Sequence, residues 1–155
     1  MRIVTVTFLV TPHWVWLAPK KRKIGIGKLN GYGGKVEMGE TIIQSAVRET
    51  RKESCINLSP GDLREITVLD FFTAGMHQYQ CYIFLATRWY GTPQETEEMG
   101  KPERFPRDNP PVHRMMLGDD LWVPEVLKGR IIPHGGYIRR NLEMTEFVGS
   151  IPSAI

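Results

Sequence analysis

Cysteine is scarce in this chain: Cys55 and Cys81 are the only two among 155 residues. Two thiols do not build a disulfide framework in a chain this long, which excludes a small disulfide-stapled fold. Both read as reduced packing residues, Cys55 at a helix end and Cys81 within an apolar strand run. Long apolar runs are also missing. None approaches 18 residues, so no helical membrane span and no membrane partner are expected. Residues 1–10 alternate and are interrupted by threonines, unlike a secretory leader, so a cytoplasmic location is expected. Neither sign of charge dominates. A net charge of +3 suits an anionic small molecule but brings no clustered basic stripe, which argues against a polymeric nucleic acid as partner. His13, His77, His113 and His134 show no metal-ligand spacing and read as structural or exposed. Repeats, linkers and low-complexity tracts are absent. The length suits a single domain over residues 1–155, as a monomer or a homodimer.

What is present is a strand-rich pattern with one strong helix. Residues 3–10 are β-branched and alternating, which predicts a strand, and residues 14–17 continue as a second. Residues 24–34 carry five glycines, read as a loop with unusual backbone angles and close ligand approach. Residues 41–54 predict a helix started by Glu40 and Thr41, with Ile42, Ile43, Ala46 and Val47 as its buried stripe. Residues 63–72 and 78–89 read as paired strands joined across Thr73-Ala74-Gly75. Residues 91–111 are polar and proline-rich, hence mostly loop. Asp119-Asp120 opens a short helix to about Lys128, and residues 131–140 return as a strand. Several strands with one central and one late helix give an α+β fold.

The chemistry concentrates in Gly34-Lys35-Val36-Glu37-Met38-Gly39-Glu40, followed seven residues later by Arg48-Glu49-Thr50-Arg51-Lys52-Glu53. Glu49 and Glu53 are spaced i, i+4, so one helix face carries both carboxylates. Alone, such a pair is an ordinary solvated face. Behind a glycine-rich turn at fixed spacing, it suits a hard cation such as Mg²⁺, which takes oxygen ligands together with substrate phosphates.

This segment resembles the Nudix box, G-x5-E-x7-R-E-U-x-E-E-x-G-U, where U is a bulky aliphatic. Gly34, Glu40, Arg48, Glu49, Glu53 and Ile56 match in register. Thr50, Lys52 and Cys55 replace an aliphatic, a glutamate and a glycine. Lys21-Arg22, residues 30–35, Gly91-Thr92-Pro93, residues 97–99 and Asp119-Asp120 with Trp122 and Pro124 extend the similarity to the branch of the family that hydrolyses oxidised purine nucleoside triphosphates. The resemblance implies an α/β/α sandwich around a mixed sheet, and Mg²⁺-dependent hydrolysis of such a triphosphate to monophosphate and pyrophosphate, with Mn²⁺ as the alternative ion.

It also implies a site. Glu49 and Glu53 would ligate the metal, Glu53 also orienting or deprotonating the attacking water. The Gly33 carbonyl would be a further ligand. Glu98 or its neighbour Glu97 would come from a distant loop. Arg48 would brace a glutamate rather than touch substrate. Asn30, Asp119 and Asp120 suit a purine edge: an ionised aspartate accepts from N1–H and N2–H₂, and a protonated neighbour donates to O6. Trp122 would wall the base pocket and Lys20, in the basic run 20–23, would attract triphosphate. Leu117 and Ile24 stand where that branch has aromatic residues. Lys52 reads two ways, as an ammonium serving the metal site or as a change that leaves a nucleotide-binding sensor with little turnover. Another substrate, a dinucleotide or a nucleotide sugar, is the remaining alternative.

Overall fold

Strand β1 (Arg2–Val10) organises the sheet. Its last residues turn alternately to two cores: Phe8 and Val10 belong to one buried cluster and Leu9 to the other, as the two-residue period of a strand requires. The computed structural model describes residues 2–73 and 75–130, with the backbone of residues 136–140 and 145–148. The strands are β2 (Trp14–Pro19), β3 (Leu29–Asn30), β4 (Tyr32–Lys35), β5 (Leu63–Thr73), β6 (Met76–Ala86), β7 (Glu103–Pro106), β8 (Gly136–Arg140) and β9 (Thr145–Val148); the helices are α1 (Ile42–Ser54) and α2 (Val123–Leu127). β1 runs parallel to β6 and antiparallel to β4 and β2, while β5 runs antiparallel to β6 and parallel to β8. The sheet is therefore mixed. α2 packs Val123, Val126 and Leu127 into the core holding Phe8 and Trp122. Val47 of α1 and Ile56 beyond it lie on the other core, with Tyr32 and Met99. The architecture is an α+β sandwich.

Several elements differ from the sequence expectation. The glycine-rich stretch is a loop only in part. Gly25 and Gly27, both at φ +83°, carry a turn, but residues 29–30 and 32–35 are strands. Gly33 and Gly34 lie in β4 because it packs too tightly for side chains: a Cβ on Gly33 would fall 1.7 Å from the Thr5 carbonyl oxygen. The polar segment 91–111 contains β7, whose backbone pairs with β2 although its composition reads as loop. The region after Asp119 is a 3-10 turn (Asp119–Leu121) followed by the five-residue α2. The strand expected over 131–140 is seen as β8; residues 131–135 lie outside the described residues. Among the described residues no helix is long and apolar enough to cross a membrane.

Helix α1 starts as its sequence suggests and then departs from it. Thr41 caps the Gln44 N–H and the Gln44 side chain caps the Thr41 N–H, a reciprocal box that satisfies two otherwise orphaned donors. Of the expected apolar stripe, Ala46 is buried and Val47 packs on a core, but Ile43 is exposed. The helix buries Ser45, Ala46, Glu49, Thr50, Glu53 and Ser54. Small and acidic residues face β4 because its glycines leave room for carboxylates, not for isoleucines.

Cys81 is buried, as expected, but Cys55 is exposed and is not a packing residue. It closes α1 at φ +65°, the left-handed conformation that L side chains resist and glycine adopts freely. Cys55→Gly is therefore expected to stabilise the fold by about 0.5–1 kcal/mol, the relief of strain less the added freedom of the unfolded chain. Chemical denaturation midpoints of the two proteins, at equal slope, check this.

Candidate active site

The inward face of α1 lays two carboxylates on β4. Gly34 meets Glu49 so closely that a Cβ there would lie 2.5 Å from its carboxyl carbon. The Gly33 N–H donates to Glu53 Oε1 at 2.9 Å. A third carboxylate arrives from the segment after β6. That segment is tied down by the Lys21 N–H donating to the Glu98 carbonyl (2.9 Å), the Gly100 N–H to the Pro19 carbonyl (2.7 Å) and the Thr96 hydroxyl to the Glu53 carbonyl (3.1 Å). Lys21 adds an ion pair with Glu95. Glu49, Glu53 and Glu98 thus bring one ligand oxygen each to within 4.8 Å of one another. Of the two adjacent acids, Glu98 joins the cluster, whereas Glu97 is exposed and faces Arg22 at 3.6 Å.

Arg48 braces this arrangement. Its guanidinium donates to both Glu40 oxygens at 2.6 and 2.9 Å, to Glu49 Oε1 at 2.5 Å and to the Lys35 carbonyl at 3.1 Å. Glu40, read from sequence as a helix-start residue and a matching position of the box, is its fork-to-fork partner. The signal was its fixed place eight residues before the arginine. Arg48 and the Glu37 N–H hold the Glu40 carboxyl down at about 2. Glu53 behaves oppositely: burial raises its pKa to about 8, and the neighbouring Glu98 and Glu49 add to the rise against the Gly33 N–H. Glu98 lies below the ordinary carboxylate range, chiefly through the Lys52 ammonium. A largely buried acid trio in which Glu53 has no ion pair among the described residues fits a divalent cation, since oxygen ligands are what hard cations take.

A cavity of about 440 Å³ adjoins the trio through Gly33, Glu53 and Glu98. Lys20, Arg22, Lys23 and Lys35 give its lining positive charge, and Phe71, Tyr79, Met116 and Trp122 give it an apolar wall. Burial lowers the Lys20 pKa. Asn30 and Asp119 supply polar atoms. The Asn30 side-chain oxygen accepts from the Gly31 N–H at 2.8 Å, which orients its amide. Asp119 is buried and accepts from the Met116 N–H at 3.2 Å. Asp120 is exposed and lies outside the lining because the 3-10 turn sends successive side chains in different directions, and Leu117, ahead of that turn, is exposed and outside it too. Trp122 is a core residue that also walls the cavity, 6.1 Å from the Phe8 ring and 6.3 Å from that of Phe71.

Sequence reasoning missed Thr5, Phe71 and Tyr79. The Thr5 hydroxyl is buried without a hydrogen-bond partner among the described residues, and Thr5 lines the cavity. Its signal was a threonine interrupting an otherwise apolar strand. The aromatic pair sits 5.9 Å apart on adjacent strands β5 and β6, a pairing that only sheet register reveals.

Comparisons with known proteins show the family and the fold. The profile of the NUDIX domain matches residues 1–126. The chain is 39% identical over 128 residues to the oxidized purine nucleoside triphosphate hydrolase of Danio rerio, covering 82% of this chain and 80% of that protein. The protein of the same name from Mus musculus is 38% identical over the same shares. The solved structure of a MutT protein from Bacillus halodurans superposes with a TM-score of 0.75 at 24% identity, covering 96% of this chain and 95% of its own. That likeness carries the fold.

The Arg48–Glu40 pair also makes a stability prediction. The Glu40 pKa falls from 4.5 to about 2 on folding, so its contribution is complete above about 4.5 and is lost as pH drops toward 2. Glu40→Gln should cost about 2 kcal/mol at pH 7, the scale of a charge-assisted hydrogen bond. The gap between the two proteins should close as pH falls from about 4.5 to 2, measured by denaturant titrations across that range.

Proposed function

The chain belongs to the NUDIX family, and from that premise we propose that it hydrolyses a purine nucleoside triphosphate with an oxidised base, in the presence of Mg²⁺, to monophosphate and pyrophosphate. The observation that carries the reading is the three-carboxylate cluster opening on a cavity whose lining combines basic, polar and aromatic side chains. In this reading Glu49, Glu53 and Glu98 hold the ion, with the Gly33 carbonyl as a further oxygen and Mn²⁺ as a substitute ion. The bound ion supplies charge neutralisation for the phosphates and a more acidic water.

The chain's own residues divide the remaining work. Lys20 and its basic neighbours attract and seat the triphosphate. Glu53, held by the Gly33 N–H on the inward face of α1, orients the attacking water and accepts its proton. Arg48 keeps Glu49 in place. The phosphoanhydride between the α and β phosphates breaks, and pyrophosphate departs. At the base, Asn30 keeps its N–H₂ group to donate to a carbonyl because its oxygen is committed to Gly31. Asp119 accepts from ring and exocyclic N–H donors of the purine edge. With Asp120 outside the cavity, base reading rests on Asn30 and Asp119. Clearing damaged nucleotides from the precursor pool is a cytoplasmic task, and it needs no more than a monomer or homodimer.

Two variants test this. Glu53→Gln keeps size and removes the charge, and turnover should fall at least about a hundredfold with the fold intact. Near-normal pyrophosphate release would remove Glu53 from the chemistry. Asp119→Asn exchanges an acceptor for a donor, and buried mismatched partners are rejected strongly. The ratio of kcat/KM for oxidised over normal guanine triphosphate should collapse toward one; an unchanged ratio would place base reading elsewhere. Scoring products separates the reading from dinucleotide or nucleotide-sugar hydrolysis, which would release two monophosphates or a sugar phosphate with a monophosphate.

A further inference from the structure

Lys52 stands where the box has a glutamate, and the structure shows where its charge goes. Its Nζ lies 2.9 Å from Glu98 Oε1, on the carboxylate delivered by the loop. The side chain runs along the edge of α1, 53% exposed, three residues after Glu49 on the same turn of helix. The acid trio therefore meets two cations of the protein itself, Arg48 on Glu49 and Lys52 on Glu98. Of the three, only Glu53 has no ion pair among the described residues; it accepts from the neutral Gly33 N–H and adjoins the Glu98 carboxyl. A glutamate at residue 52 would remove one of those cations and add a fourth carboxylate, a change of two charges at one place. An ammonium is a compact point charge with three donors, so it balances a carboxylate without fixing the geometry around it.

We propose that the Lys52 ammonium is a resident cation of the acid cluster, taking the charge-balancing role of one divalent ion on Glu98, so that the chain holds fewer divalent ions than it would with a carboxylate at residue 52. The inference rests on the reading of the trio as a cation site. An ion that uses Glu98 must share it with Lys52 or displace the ammonium, which weakens binding on that side. Glu49 and Glu53 stay available on the other.

The test is a Mn²⁺ titration of the substrate-free 155-residue chain, free ion read by electron paramagnetic resonance, for the wild type, Lys52→Gln and Lys52→Glu. Lys52→Glu should bind at least about one more Mn²⁺ per chain, and its tightest site should gain about tenfold or more, the scale at which groups next to metal ligands act. Lys52→Gln, which removes the charge and adds no ligand, should tighten binding by a smaller factor with no added ion. The position is exposed, so thermal melts of all three should agree; if Lys52→Glu melts lower, Lys52→Gln alone decides. Equal counts and affinities in the three proteins, or no Mn²⁺ bound by any, overturn the proposal. Pyrophosphate release from an oxidised purine triphosphate is measured separately. A Mn²⁺ count that depends on residue 52 without turnover would remove the hydrolase reading and keep this one, and turnover with an unchanged count would do the reverse.

Discussion

The close approach of α1 to β4 is the constraint on which the rest depends. Two glycines set that distance. A side chain at residue 33 would collide with the Thr5 carbonyl of β1, and one at residue 34 would occupy the place of the Glu49 carboxyl. With both bare, β4 lies flush on β1 and the helix settles until the Gly33 N–H reaches Glu53. The same distance lets Arg48 span from the helix to the Lys35 carbonyl and to Glu40 before the helix start. Widening the gap by one methyl group would push the carboxylates outward together, because they share one helix face.

Burying acids on the inner face of a helix opposes stability unless their charge is met. α1 meets it unequally. Arg48 compensates Glu49 and Lys52 compensates Glu98, whereas Glu53 has no ion pair among the described residues and takes the Gly33 N–H beside the Glu98 carboxyl. A purely structural ion network would close all three accounts at once. A carboxyl in such a cluster without an ion pair of its own fits a site for an external cation. The helix is held by other means: its reciprocal N-terminal cap and the packing of Ala46 and Val47.

Legibility from sequence followed how local each signal was. β1, β2, the β5–β6 pair and α1 were visible because each carries its own period or its own cap. β4 and β7 were not, since nothing in Tyr32-Gly33-Gly34-Lys35 or Glu103-Arg104-Phe105-Pro106 favours a strand by itself; β1 and β2 impose it. The buried face of α1 was misread in part for the same reason. Helical periodicity nominated Ile42, Ile43, Ala46 and Val47, of which Ala46 and Val47 pack inward and Ile43 does not; the partner surface decides which face is covered, and a glycine strand accepts carboxylates. At the site, the glutamate spacing could be read from the chain, yet the choice of Glu98 over Glu97 came from Thr96, Lys21 and Gly100 tethering one loop. Asp119 and Asp120 looked equivalent in sequence, and only the 3-10 turn separates them.

The cavity has its own asymmetry. Its aromatic surface comes from the sheet and its floor, through Tyr79, Phe71 and Trp122, which brace one another at tilted angles. Phe71 and Tyr79 face each other across paired strands, and Trp122, just before α2, packs edge-on against Phe71. The loop side is different: Ile24 is 59% exposed, and Leu117 is exposed and does not reach the cavity. An aliphatic side chain in solvent offers little stacking surface. A flat ligand would be sandwiched on one face only, so shape and stacking distinguish one purine from another weakly. Discrimination then falls to directional bonds, where a mismatch leaves a buried polar group unpaired. Asn30 and Asp119 are the residues built for that: one has its oxygen tied to Gly31, and the other is buried beneath the Met116 amide. In the proposed reading, selectivity is thus a matter of two oriented polar side chains set against an apolar wall, not of aromatic enclosure.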